Sequence, residues 1–198
     1  MILGPDGAGK SSVIEGLMKN LSRDGRVVKI RHLKPRLLPL RRGEPVTIVT
    51  DPHGKPPRSA LLSAAKILFW LMEEWTEHLF HEKKGTLLLC DRYYHDLLID
   101  PLRYRYGGPA WMARLVGGWM PRPDLWILLD APVEVLQARK REVPFEESAR
   151  QRQAYLTFIG RQRRHVIVDA SRPLDQVIAG AEWAVASLGA RTRSEERP

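Results

Sequence analysis

The chain predicts an α/β fold, a parallel sheet lying between two layers of helices. Three observations carry this expectation. Strand-like and helix-like stretches alternate along the chain, three of the strand-like stretches end in an aspartate, and a glycine-rich loop joins the first strand to the first helix. Continuous rather than alternating apolar runs suit strands buried on both faces, and intervening helices make such strands parallel.

The elements follow in order. Residues 1–3 form the end of a first strand, short for one that normally lies centrally beneath a glycine-rich loop, so a clipped start and a weakened strand are expected. Residues 12–22 carry Val13, Ile14, Leu17 and Leu21 at helical spacing and stop at Asp24-Gly25. Residues 27–30 read as the second strand. Residues 34–58 are rich in proline and arginine and read as a long exposed loop, with Thr47-Ile48-Val49 briefly extended. Leu61, Ala65, Leu68, Met72, Trp75 and Leu79 mark one helical stripe, predicted to pack in the core. Residues 86–90 form a strand ending at Asp91, and Trp111, Trp119 and Met120 fall in a helix-like segment as core or wall residues. Residues 125–129 form a strand ending at Asp130, followed by a helix over 132–141. Residues 166–168 end at Asp169 and precede a last helix over 173–188, leaving 191–198 as a disordered tail. The whole of 1–190 reads as one domain.

Composition bounds the function. Hydrophobic residues at 43% and charged residues at 28% are ordinary globular usage, so a packed core is expected. A net charge of +9 points to anionic partners, whether nucleotides, nucleic acid or a membrane surface. The single Cys90 excludes an intrachain disulfide framework and no His/Cys spacing resembles a zinc site, which suits a reducing, cytoplasmic setting. Lys66, Glu73, Glu74, Glu77 and His78 interrupt the longest apolar stretch, so it is no bilayer span, and the N-terminus has no signal-peptide pattern.

Chemistry concentrates at Gly4-Pro5-Asp6-Gly7-Ala8-Gly9-Lys10-Ser11, a complete G-x-x-x-x-G-K-S loop with a strand before it and a helix after it. An accidental glycine-rich turn is the competing reading, and that context opposes it. Glycines let the backbone aim its N–H groups inward, and the helix adds its positive end, so a triphosphate is cradled from Gly4 through Ser12. Lys10 is placed for the β and γ phosphates and Ser11 for Mg²⁺, which makes ATP and Mg²⁺ the expected cofactors and the fold a three-layer sandwich of the P-loop NTPase type. Ligands on such sheets bind at the carboxyl ends of the strands, where this loop, Asp91 and Asp130 converge. Asp91 is the natural metal carboxylate beside Ser11, its alternative being a strand-end turn residue. Arg92 can fork two hydrogen bonds to a second phosphate, its alternative being a surface arginine. Tyr93-Tyr94-His95-Asp96 and Arg103-Tyr104-Arg105-Tyr106 could stack on a base and bind phosphate, or form a half-buried surface loop. His78, His81 and His95 are isolated and read as packed or solvated.

The glycine loop together with Leu87-Leu88-Leu89-Cys90-Asp91-Arg92-Tyr93 resembles the thymidylate kinase family of P-loop nucleoside monophosphate kinases. Leu61-Leu62-Ser63-Ala64-Ala65 resembles the family helix that lines the acceptor site, Pro123-Asp124-Leu125 its Pro-Asp-Leu strand, and Asp169-Ala170-Ser171-Arg172-Pro173-Leu174 its terminal Asp-Ala-Ser-x-Pro-Leu. The resemblance implies that Asp6 contacts the acceptor sugar, Asp91 is a metal or catalytic carboxylate, and Arg92 clamps the acceptor phosphate. It makes Arg139 and Arg141 part of a lid over the donor, about 139–152, against the alternative of a solvated helix end. It also implies a homodimer. Three segments depart from the family: Tyr94-His95-Asp96 replaces its Ser and Ala-Tyr-Gln, Lys66-Ile67 replaces an Asp-Arg whose arginine contacts thymine, and Arg31 to Arg36 replaces its Arg-Glu-Pro-Gly.

The leading expectation is thus a Mg²⁺-dependent kinase moving the γ-phosphoryl group of ATP to a phosphorylated small molecule, most simply dTMP. Transfer to a nucleoside, sugar or other small metabolite is the alternative. A nucleotide-dependent module gripping a polyanion through the basic loop ranks last, because that loop has few aromatics on which bases could stack.

Overall fold

A computed structural model describes residues 1–32, 56–80 and 86–195. The predicted basic loop falls largely on residues outside these, as do Thr47-Ile48-Val49 and His81. The described chain resolves into two compact units, one comprising 1–31, 86–92 and 122–195, the other 56–80 and 93–121.

The first unit is the predicted α/β sandwich. Strands β1 (Ile2–Leu3), β2 (Val27–His32), β3 (Thr86–Asp91), β4 (Trp126–Asp130) and β5 (His165–Asp169) form one sheet in the order β2-β3-β1-β4-β5. β1 runs parallel to both β3 and β4, and β4 parallel to β5. The first strand is two residues long, yet it is fully covered: Ile2 and Leu3 pair with Ile127 and Leu128, and the Met1 amine donates to the Leu125 carbonyl at 2.9 Å. Of β3 only Leu89 is buried, its neighbours being half-buried.

Helix α1 (Lys10–Arg23) buries Val13, Ile14, Leu17 and Leu21, and ends where the Asp24 and Gly25 amides return to the carbonyls of Asn20 and Ser22. Its apolar face joins Val177, Ala181 and Val185 of the last helix in the core. Each fully buried leucine there stabilises by roughly 2 kcal/mol.

Two further helices pack on the carboxyl half of this unit. Val133–Arg139 is helical as expected, and so is Phe145–Ile159, for which the sequence pattern has no counterpart. The buried face of the latter is Ser148, Gln151, Tyr155 and Ile159, half polar, so apolar periodicity does not report it. Gln137 satisfies part of that face, its side-chain amide donating to the Val143 carbonyl and to the Ser148 hydroxyl. The last helix, Leu174–Glu195, continues past residue 188 into the segment expected as a tail.

The second unit holds helices Ala60–Phe80, Asp96–Ile99 and Ala110–Trp119, numbered α2, α3 and α4; those at 133–139, 145–159 and 174–195 are α5, α6 and α7. Its core corrects the sequence reading of α2. The predicted stripe faces outward, from Trp75 at 42% exposed to Leu61 at 80%, whereas Ser63, Ile67, Trp70 and Glu74 are buried. Those positions lie two residues along, a rotation of roughly 200°. Both faces carry apolar residues, and tertiary packing selects the one whose Trp70 meets Tyr94 and Tyr104 edge-on, with centroids at 6.3 and 5.7 Å, although Ser63 and Glu74 share it. Tyr94 is fully buried and donates to the Ala113 carbonyl at 2.9 Å. Met120 is buried as expected, but Trp111 and Trp119 are exposed rather than core.

Candidate active site

The glycine loop leaves the end of β1 and enters α1 through three glycines at positive φ, Gly4 at 154°, Gly7 at 85° and Gly9 at 81°. Gly7 requires its glycine twice over: a Cβ there would also lie 2.5 Å from the Leu136 carbonyl oxygen on α5. The Ala8 amide closes the turn on the Pro5 carbonyl. Gly9 in the left-handed region caps α1, so the first-turn N–H groups open toward the loop. Lys10 is buried and folds back over the loop, its Nζ donating to the carbonyls of Gly4 at 2.6 Å and Pro5 at 2.9 Å. Ser11 and Ser12 are exposed on the first turn, and Ala8 is buried behind the loop.

The ends of the neighbouring strands supply the charged groups. Asp91 closes β3 beside Ile2, half-buried. Arg92 follows with φ 68°, a left-handed conformation that costs a non-glycine residue about 1 kcal/mol. Its guanidinium donates to the Asp6 carboxylate at 2.9 Å, and both side chains are largely covered. Two predicted site residues far apart in sequence are thereby joined.

Asp130 at the end of β4 accepts two bonds from Arg152 of α6, at 2.7 and 2.8 Å. The Asp130 carboxylate holds that guanidinium even more firmly protonated than usual. Arg152 was not among the sequence candidates; a two-bond partner twenty-two residues away leaves no local signal. Arg139 donates to the Ala170 carbonyl at 2.7 Å, whereas Arg141 is exposed and bonds to none of the described residues. At the end of β5, Ser171 donates to Asp169 from both its amide and its hydroxyl, and with Arg172 this lowers the carboxyl below its ordinary range.

Among the described residues no three His, Cys, Asp or Glu side chains gather as a metal cage, and no helix is long and apolar enough to cross a membrane. The hydroxyl of Ser11 and the carboxylate of Asp91 are hard oxygen donors of the kind that Mg²⁺ takes when phosphates and water complete its shell. The glycine cradle at a helix start, with a buried ammonium over it, fits a polyphosphate.

Comparison with known proteins agrees with this geometry. The thymidylate kinase of Limosilactobacillus fermentum is 30% identical over 221 residues, covering 92% of this chain and 91% of that protein. Those of Thermomicrobium roseum and Ectopseudomonas mendocina are each 31% identical, with 91% and 93% of this chain covered and 90% and 93% of theirs. No family model matches. With such relatives spanning nearly its full length, the chain belongs to the thymidylate kinase family of nucleoside monophosphate kinases.

Proposed function

We propose that the protein transfers the γ-phosphoryl group of ATP, with Mg²⁺, to dTMP. The observation that carries this reading is the Asp6–Arg92 pair, which ties the phosphate loop to a cation suited to a second phosphate. Relatives named thymidylate kinase support the acceptor's identity.

In this reading the amides of Gly4 through Ser12 hold the donor phosphates and Lys10 neutralises their β and γ oxygens. Ser11 and Asp91 hold Mg²⁺, which when bound offsets the phosphate charge. Arg92 holds the acceptor phosphate, oriented by Asp6, which also contacts the acceptor sugar. Arg139 and Arg141 belong to a lid over residues 139–152 that excludes water during transfer. Residues 1–190 work as one kinase domain, and the protein is a homodimer. The outward apolar stripe of α2, together with Trp111 and Trp119 of α4, supports the last inference, since single exposed apolar residues are ordinary but a contiguous patch is not.

One observation favours a different acceptor. Ile67, in place of the family's thymine-contacting arginine, has no exposed surface, so it offers a base nothing to bind. An acceptor screen decides the matter: ADP formation is measured with purified protein, ATP, Mg²⁺ and each nucleoside monophosphate, then nucleosides and phosphosugars. The leading reading expects the largest stimulation by dTMP. A larger one by a nucleoside or sugar replaces dTMP, and ADP formation that survives Lys10→Ala rejects the assignment of the loop.

A further inference from the structure

The second unit gathers cations at the start of α2 and in the loop that precedes α4. The Arg58 amide donates to the Arg105 carbonyl at 2.9 Å, and Arg105 Nε donates to the Pro56 carbonyl at 3.0 Å. Lys66 Nζ donates to the adjoining Tyr104 carbonyl at 2.8 Å and lies 4.5 Å from the centroid of the Trp70 ring. The Gly107 amide, donating to the Ser63 hydroxyl at 2.9 Å, fastens the same loop to α2. These bonds hold the Arg58 and Arg105 backbones and the Lys66 ammonium together, near enough for both arginine charges to act on Lys66, and no carboxylate of the described residues pairs with any of the three cations.

Like charges held together without a counterion oppose folding. Burial, with Arg58 and Arg105 alongside, pulls the Lys66 ammonium down to about 8. The buried indole N–H of Trp70, in the same cluster, also finds no acceptor among the described residues. Donors in excess and acceptors missing are the inverse image of an oxyanion. Two guanidinium groups and one ammonium, from the residues around the start of α2 and from a single loop, match one compact phosphate; a duplex or a membrane surface would call for a longer row of charge.

We propose that Arg58, Lys66 and Arg105 form an oxyanion-binding site that takes the phosphate group of a small phosphorylated metabolite. The site adjoins Leu61 to Ala65, the stretch that resembles the family's acceptor-lining helix, so it bears on the proposed acceptor, but it is independent of the chemistry at Lys10.

Calorimetric titration of the full chain with pyrophosphate tests it. Two classes of site are expected, and Lys10→Gln is expected to remove the one at the glycine loop. The double variant Lys66→Gln/Arg105→Gln should weaken the other by at least tenfold, while Lys66→Arg retains it and circular dichroism stays unchanged. Displacement of pyrophosphate from this second class by dTMP assigns the site to the acceptor's own phosphate; displacement by inorganic phosphate alone assigns it to another phosphorylated metabolite. A single class of site in the wild type, or two classes that both persist in the folded double variant, overturns the proposal. Turnover that persists in Lys10→Gln, with second-class binding intact, would count against the kinase reading instead.

Discussion

Arg92 donates to the Asp6 carboxylate across 2.9 Å while its own backbone stands at φ 68°. A strained residue whose side chain grips the phosphate loop is held there by its surroundings, which is the usual setting of a functional group. Alanine tolerates the left-handed region about as poorly as arginine, so Arg92→Ala isolates the guanidinium. We expect it to lower kcat/KM for the acceptor by about 10- to 100-fold, with ATP affinity changing little, in steady-state assays. An equal loss of ATP affinity would move Arg92 to the donor side.

Gly7 and Gly9 share a positive φ but not their surroundings. A Cβ on Gly7 meets the Leu136 carbonyl, whereas one on Gly9 meets nothing within 4 Å. Gly9→Ala is therefore expected to cost about 1 kcal/mol of stability, and Gly7→Ala about 2 kcal/mol or more, because backbone must also shift. Thermal melts of the two variants check the order, and ATP titration should show the larger defect in Gly7→Ala.

The outward stripe of α2 predicts self-association. Leu68 and Met72 are exposed on that stripe, where a charge disturbs no described partner within the chain. Leu68→Glu/Met72→Glu is expected to convert a dimer into a folded monomer in sedimentation velocity. A wild type that sediments as a monomer at micromolar concentration would remove the dimer inference.

How much of this was legible in sequence depends on the range of each interaction. The glycine loop is a local pattern whose backbone demands appear in its glycines, and Asp91-Arg92 is legible from its place after an apolar strand, although the positive φ of Arg92 is not. The α2 stripe was visible as a period but not as a direction, because the face that packs inward mixes Ile67 and Trp70 with Ser63 and Glu74 and is the less apolar of the two. Helix α6 escaped because Ser148 and Gln151 occupy its buried side. Asp130 with Arg152, and Lys66 with the Tyr104 carbonyl, depend on where the chain returns in space.

Asp130 and Arg152 fasten α6 to the end of β4 by two parallel bonds, in a partly covered site. Such a fork is geometric, so charge alone does not replace it. Arg152→Lys is expected to cost about 1 kcal/mol, and Arg152→Met more, by leaving the carboxylate without its fork. Denaturant titration gives both values. If the pair holds the lid segment, trypsin should also cut after Lys140 or Arg141 faster in both variants than in the wild type.

Lys66 supplies a pH test with a definite sign. Its folded value of about 8 lies below the ordinary 10.5, so the unfolded chain binds this proton more tightly. The folded state therefore carries a penalty that is full below about pH 8 and fades as the pH rises toward 10.5. Desolvation is the largest cause and the charges of Arg58 and Arg105 add to it. After a discount for partial solvation, and for the bond to Tyr104 that a replacement forfeits, the penalty is on the order of 1 kcal/mol. Lys66→Met should accordingly melt a few degrees higher than the wild type at pH 7, and the gap should close by pH 10. An oxyanion beside the three cations favours the charged lysine, so saturating pyrophosphate should close the gap at pH 7 as well. A variant that melts lower than the wild type at pH 7 would mean that the Tyr104 bond and the Trp70 ring outweigh the crowding of charge, and the case for a missing counterion would lose its energetic basis.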